Sequence, residues 1–316
     1  NQFKSLIEFE FDKKLIKCEK IFCTSTPRRI VLLLEGLVDN GEDEMIIRKG
    51  PKATSAFING TPTKAAVGFA NSLGIDVDDL EIKNTEKGDF VFGKKVRRGE
   101  STRISLSLII PKVIKSLQGP RFMKWGNGNF KFSRPIRWLV SLYNDEILDF
   151  KLDQCDPNIE VGNISKSHRL IDKVIEINSP DNYFEIMAEN GVLVKRDERK
   201  EKITNIIKQS SESLNLNPDL SEGLINELSD LVEFPNLIIG KFDEEFLDLP
   251  VEVLSTVMKS HQRYIPLLQK GNTFSKLDLS SEKTISTNFL LISNGLQESN
   301  NIIAKGNEKV LKARFS

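Results

Sequence analysis

The sequence predicts an α+β protein, with two mixed α/β domains followed by the truncated start of a helical segment. Three observations carry this expectation. Short apolar runs rich in branched residues, such as Arg29 to Leu37 (RIVLLLEGL), have the length of strands rather than helices. Charged segments such as Lys195 to Leu214 repeat apolar residues at helical spacing. The chain has 316 residues, long for one core. The expected domains are a basic N-terminal one over 1–150 and a second over 158–295, with 296–316 opening the helical region.

Each element has a local reason. After the strand at Arg29 to Leu37 comes a loop, Pro51 to Gly60. Thr61-Pro62 offers a cap and a first-turn proline for a helix ending at Leu73 and Gly74. Phe90 to Arg97 reads as a strand. Ser101 or Thr102 caps a helix with an apolar stripe of Ile104, Leu108, Ile109, Val113, Ile114 and Leu117, which Pro111 is expected to kink or split. Trp138 to Tyr143 reads as a strand, and the acidic, turn-rich passage Asp145 to Glu160, with Pro157, as a linker. Beyond it, helices are expected over Lys195 to Leu214, Ser221 to Val232 and Pro250 to Lys259. Strands are expected at Leu237 to Ile239, Tyr264 to Leu268 and Phe289 to Ile292.

Composition narrows the function classes. With 39% hydrophobic and 28% charged residues the chain reads as a soluble globular protein. No apolar run approaches the roughly 20 residues of a membrane span. Three cysteines without nearby histidines suggest reduced thiols rather than a disulfide or zinc framework. The missing initiator Met and the helix-like last residues suggest a piece of a longer protein.

Formal net charge is zero, but the charges are segregated. From Ser101 to Asn144 there are eight Lys or Arg and no acid; from Met45 to Ile75, four and none. From Asp219 to Glu252, ten acids accompany only Lys241. Such runs make opposite surface potentials unless the fold intermixes them.

The longest basic run contains Met123-Lys-Trp-Gly-Asn-Gly-Asn-Phe-Lys-Phe-Ser-Arg-Pro-Ile-Arg-Trp138. A phosphate-cradling glycine loop needs a helix to start behind it. Here aromatic alternation and Pro135 follow instead, so Asn127-Gly128 reads as a hairpin turn with φ > 0 at both positions. Alternation places Phe130 and Phe132 on one face and Lys131 on the other, and would bring Lys131 near Arg137 if Pro135 does not shift the register. Such a strand suits a phosphodiester backbone; it also suits an ordinary strand with a basic outer face. The two histidines, His168 and His261, lack a metal-ligand spacing or a neighbouring nucleophile. No nucleotide or hydrolase fingerprint is present.

Seven motifs occur in order: Thr26-Pro-Arg-Arg29, Arg48-Lys-Gly-Pro51, Lys64-Ala-Ala-x-Gly-Phe69, Met123-Lys-Trp-Gly126 with Arg134-Pro135, Ser167-His-Arg169, His261-Gln-Arg-Tyr264 and Gly306-Asn-Glu-Lys-Val310. Together they resemble the β subunit of bacterial glycine–tRNA ligase, the α2β2 enzyme, from about Pro27 to Arg314. Asn1 to Cys23 lies outside that resemblance. Ser167 stands where the family usually has glycine, and Leu170 where an aromatic is usual.

The resemblance implies a cytoplasmic chain that supports ATP-dependent attachment of glycine to tRNA(Gly) but is not itself catalytic. It implies no cofactor in this chain, with ATP and Mg2+ used on the α subunit, and the α subunit and tRNA(Gly) as partners. A purely structural assembly module for the α subunit is the alternative. From charge and motif position, the candidates for tRNA contact are Arg28, Arg29, Arg48, Lys49, Lys52, Lys124, Lys131, Arg134 and Arg137. His168, Arg169, His261 and Arg263 follow them.

Overall fold

The computed structural model describes residues 2–153, 155–156, 158–270 and 285–316. The chain divides into two units: one of residues 1–21, 34–135 and 150–158, the other of residues 22–33, 136–149 and 159–316. The mix of helices and small sheets is α+β.

Unit one opens with helix α1 (Gln2–Lys14), in a segment for which the sequence offered no element. Strands β1 (Cys18–Thr26) and β2 (Arg29–Leu37) pair with each other and contribute residues to both units. Strand β3 (Glu44–Lys52) follows, then helix α2 (Lys64–Leu73). The helix ends as expected at Gly74, whose φ of 66° is the left-handed cap conformation glycine accepts without strain. Its start differs from expectation. Thr61–Pro62 pairs with Phe57–Ile58 as a short bridge, and Thr63 becomes the cap, its hydroxyl accepting from the Ala65 N–H at 3.3 Å.

Strands β4 (Glu81–Thr85) and β5 (Gly88–Arg97) complete an antiparallel sheet of order β3–β5–β4. Helix α2 covers one face, with Ala56, Ala66 and Val91 at the core. Gly93 permits that approach, since a Cβ there would lie 2.3 Å from Leu73 Cδ1.

Helix α3 (Thr102–Ser116) runs unbroken through Pro111, so the expected split does not occur. Proline removes one backbone donor, and burial of Leu106, Ile109, Val113 and Ile114 on either side of it holds the turns together. The buried stripe also differs: Ile104 and Leu108 are 62% and 63% exposed. Leu106, Ile109 and Val113 satisfy the helical period as well as Ile104 and Leu108 do, so spacing alone cannot choose between the faces. Next come β6 (Met123–Lys124) and β7 (Lys131–Phe132), an antiparallel pair. Phe150 and Leu152, inside the acidic passage, are buried; Pro157 lies outside the described residues.

In unit two, the run Trp138 to Tyr143 forms not one strand but two short pieces, the first β8 (Leu139–Val140) and the second Leu142–Tyr143. The first pairs in parallel with β9 (Val161–Gly162). Strands β10 (Ile164–Lys166) and β11 (Val174–Glu176) form a hairpin, followed by helix α4 (Tyr183–Glu189). Ile175, Ile177, Met187, Val192 and Val194 form the core here, with Val31 and Val140 packed against it.

The larger part of the unit is a four-stranded antiparallel sheet. Helix α5 (Arg196–Ser213), β12 (Leu216–Pro218), helix α6 (Glu222–Leu231), β13 (Asn236–Lys241), helix α7 (Val251–Thr256), β14 (Ile265–Gln269), β15 (Ile285–Ser293) and helix α8 (Asn300–Phe315) occur in that order. The strands are ordered β12–β14–β15–β13. Ile203, Ile207, Leu224, Leu228 and Leu290 pack on one face; Leu254, Met258, Phe289 and Leu311 pack on the other. Burial on both faces explains why these strands read as continuous apolar runs rather than alternating ones. The residues expected to open a helical region belong to this core, where Phe315 packs 5.4 Å from the rings of Phe242 and Phe246.

Candidate nucleic-acid interface

A charged constellation of unit two includes Arg28 and Arg29 beside Trp138. Strands β1 and β2 meet in a turn at Pro27-Arg28. Just before it, the Thr26 hydroxyl donates to Glu233 Oε1 at 2.7 Å and accepts from the Arg28 N–H at 3.2 Å. Just after it, Arg29 is buried: Nη1 meets the same Glu233 oxygen, and Nη2 donates to the carbonyls of Lys166 and Ser167, the latter at 3.2 Å. Its guanidinium lies 5.5 Å from the Trp138 ring, and that of Arg28 lies 5.8 Å away.

Arg199, fully buried, ties down the same region from below. It donates to the carbonyls of Leu193, Val194, Ser229 and Ser25 at 2.7 to 2.9 Å, and burial lowers its pKa. Glu233 is engaged by Arg29 and also attracts Arg28 and Arg199, and Asp230 acts on Arg199 more strongly still. The pKa of Arg28 is lowered, first by partial burial, against the attraction of Glu233, and further by repulsion from Arg29, Arg137 and Arg169. Arg28, Arg137 and Arg169 are exposed, and among the described residues none has a carboxylate within ion-pair distance. An anion placed there would relieve that repulsion.

His168 is buried beside this cluster rather than presented by it. Its N–H donates to the Asn190 carbonyl at 3.0 Å, its Nδ1 accepts from the Leu170 N–H at 3.4 Å, and Nε2 has no partner. Ser167, in the place of the family's glycine, has no left-handed φ. Its hydroxyl accepts from the Lys173 N–H at 2.7 Å, closing the turn that holds Arg169 outward.

In unit one the hairpin forms, but with a six-residue connection rather than a tight Asn127-Gly128 turn. The register pairs Met123 with Phe132 and Lys124 with Lys131, and only Gly126 has a left-handed φ, 61°. The cause is Asp156, whose carboxylate accepts from the Asn127 N–H at 2.6 Å and so holds the loop open. That backbone amide is already occupied by an anionic group, so the loop does not form a phosphate cradle. Phe130 and Phe132 share a face as the alternation implied, stacked at 5.8 Å, with Phe122 5.0 Å from Phe132. Trp125 Nε1 donates to the Phe132 carbonyl at 3.0 Å. Lys124 and Lys131, exposed and directly opposed, place two like charges side by side. Arg134 is exposed; Arg137 belongs to the other unit.

Arg48, Lys49 and Lys52 line β3, all exposed, with Lys49 Nζ 3.4 Å from the Phe90 ring centroid. His261 and Arg263 sit where α7 runs on into a π-helical turn, Val257–Gln262, that ends at Arg263 with φ 58°. His261 is exposed, and Arg263 pairs with Glu227. Tyr264 is buried and donates to Asn307 Oδ1, so the His261 and Gly306 motifs meet in the fold. Of the thirteen candidates, Arg48, Lys49, Lys52, Lys124, Lys131 and Arg134 belong to unit one and the other seven to unit two. Reasoning from the sequence missed Glu233, whose partners Thr26 and Arg29 lie more than 200 residues away along the chain, and Arg199, which reaches Ser25 as well as its near neighbours Leu193 and Val194. Among the described residues, no group of three or more His, Cys, Asp or Glu could hold a metal ion, and no helix is long and apolar enough to cross a membrane.

Comparisons with known proteins cover the whole chain. A family model described as "Glycyl-tRNA synthetase beta subunit" matches residues 1–316 and so takes in the N-terminal segment that the motif resemblance left out. The chain is 42% identical over 316 residues to the glycine–tRNA ligase beta subunit of Trichodesmium erythraeum. It is 37% identical over 316 residues to that of Acaryochloris marina and 36% identical over 317 residues to that of Clostridioides difficile. In each case 100% of this chain is covered, against 43%, 43% and 44% of the respective relative. The chain therefore spans less than half the length of the curated relatives it matches. Over its whole length, it belongs to the glycyl-tRNA synthetase beta subunit family.

Proposed function

We propose that this chain serves glycine–tRNA ligase by holding tRNA(Gly) and docking the catalytic α subunit, so supporting ATP-dependent attachment of glycine to tRNA. The observation that carries the RNA part is the exposed guanidinium group of Arg28, 5.8 Å from the Trp138 ring and repelled by the exposed Arg137 and Arg169, beside a carboxylate, Glu233, that is engaged by Arg29. Guanidinium groups suit phosphate in a way that a scattered lysine surface does not, because their planar forks match two oxygens. The buried Arg29 acts as a positioning residue that fixes the turn from which Arg28 projects.

The chain's own residues bind and orient. Holding an acceptor end beside the reacting group on another subunit turns a two-body step into a local one, worth up to roughly 7–11 kcal/mol in favourable systems. RNA helices are recognised through shape, phosphates and 2′-hydroxyls, which is work for exposed Arg and Lys. We assign ATP and Mg2+ to the α subunit, place the enzyme in the cytoplasm as an α2β2 assembly, and assign no cofactor to this chain. The hairpin pair Lys124 and Lys131, and Arg48, Lys49 and Lys52 on β3, are further contacts for the RNA backbone.

Binding of tRNA(Gly) to the chain, with Arg28, Arg137 and Arg169 changed to Glu, tests the reading. Loss of binding supports it. Retained α-subunit binding with no tRNA affinity in the unaltered chain would instead favour the assembly module.

A further inference from the structure

The β3–β5–β4 sheet has one covered face and one open face, and its register sorts the residues between them. Direct cross-strand partners share a face. Val91 and Gly93 lie under helix α2, and so does Gly50, where a Cβ would meet the Phe69 ring at 2.5 Å. The opposite face carries Phe90 and Phe92 on the central strand. Lys49 stands opposite Phe92, and Lys52 and Lys83 flank Phe90. Towards one end, Met45 pairs with Val96, and these are 62% and 54% exposed.

Both rings carry an ammonium group above them: Lys49 Nζ is 3.4 Å from the Phe90 centroid, and Lys83 Nζ is 5.7 Å from that of Phe92. Lys83 and Lys94 share one carboxylate, Glu81. Lys49 and Lys52 have none within ion-pair distance among the described residues. The aromatic centre of the face thus has more positive than negative charge, and Phe90 and Phe92 are half-buried beneath the exposed Lys49 and Lys83.

We propose that this open face is a platform for an unpaired stretch of RNA, with successive bases stacking on Phe90 and Phe92 and phosphates meeting Lys49, Lys52 and Lys83. Residues two apart on a strand stand roughly 7 Å apart on one side of the sheet, so each ring is free to take its own base. Base–aromatic stacking tolerates any sequence because every base has a π-face, and the lysines supply the salt-dependent part. A duplex hides its base faces, so the rings favour single strands. A protein-docking core is depleted in lysine, whereas here lysines lie over the rings, so an RNA occupant fits better than a protein one. An exposed lysine changes rotamer in picoseconds to nanoseconds and can swing from ring to phosphate as a base arrives. The platform adds a second surface to the proposed tRNA function and does not depend on the arginine cluster.

Fluorescence anisotropy of the chain with fluorescein-labelled decauridylate, with a duplex RNA of the same length and with intact tRNA(Gly) tests it. The single strand should bind about tenfold more tightly than the duplex. Phe90→Leu with Phe92→Leu should weaken single-strand binding about tenfold or more, Tyr at both positions should keep it, and the exposed pair Lys49→Glu and Lys52→Glu should weaken it without touching the core. Equal binding of single strand and duplex, or unchanged binding by the leucine variant, overturns the platform. A chain that binds tRNA but not decauridylate overturns the platform and leaves the arginine cluster standing. Protection of this face by the α subunit in place of RNA also overturns it.

Discussion

Arg29 and Glu233 lie 204 residues apart in the chain and form a buried ion pair in unit two, with side-chain exposures of 3% and 0%. Arg28, the preceding residue, stays in solvent. Adjacent arginines thus divide their work: one holds the turn, and the other is presented by it.

Breaking that pair from one side leaves the other charge buried and uncompensated. Glu233→Ala should destabilise unit two by about 3–5 kcal/mol, read from chemical denaturation. Arg28→Ala, at an exposed position, should change stability by no more than about 0.5 kcal/mol. Similar losses from both would contradict the division of work.

Glu10 on α1 receives Lys112 of α3 at 2.7 Å and Lys13 at 3.4 Å. The Lys112 hydrogen bond is the main cause that holds its carboxyl below the usual glutamate pKa, working against desolvation. A depressed carboxyl pKa stabilises the fold above the unfolded-state value, and that contribution is lost as pH falls through the folded-state value. Both lysines are largely exposed, so the contribution is on the order of 1 kcal/mol or less. Glu10→Gln should lower the denaturation midpoint at pH 7, and the gap to the unaltered chain should close in acid. A gap that persists once Glu10 is protonated would show that the ion pairs do not cause it.

Gly126 has φ 61°, and a Cβ there would lie 2.7 Å from Asp156 Oδ2. Gly126→Ala should therefore cost about 1–2 kcal/mol from backbone conformation alone, with the contact added. Asp156→Ala should speed hydrogen exchange at the Asn127 amide, which would lose its acceptor. Unchanged exchange would mean that Asp156 does not shape the loop.

What the sequence disclosed depended on the range of each interaction. Strand β2 and helices α5 and α6 were legible because periodicity, Ser221 as a cap and chain punctuation are local signals. The six-residue hairpin loop was not, because Asp156, which sets it, comes 29 residues after Asn127. Helix α3 showed its span but not its buried face, since two apolar stripes competed for the core. The basic runs disclosed that cationic surfaces exist. The motif Thr26-Pro-Arg-Arg29 could not tell Arg28 from Arg29, because the carboxylate that buries Arg29 belongs to the acidic run beginning at Asp219. For that run the sequence left open an acidic surface or charges intermixed by the fold, and at Glu233, 0% exposed against a guanidinium of the Thr26-Pro-Arg-Arg29 motif, the fold intermixes them.

The central claim is that the exposed arginines Arg28, Arg137 and Arg169 bind RNA phosphates, and the salt dependence of tRNA(Gly) binding tests it most directly. Each neutralised phosphate contributes about −0.9 to the slope of log affinity against log salt on a duplex. Changing Arg28, Arg137 and Arg169 together to Ala should flatten that slope by about two to three and weaken binding at low salt, with the denaturation midpoint unchanged. An unaltered slope and affinity in that variant would contradict the account.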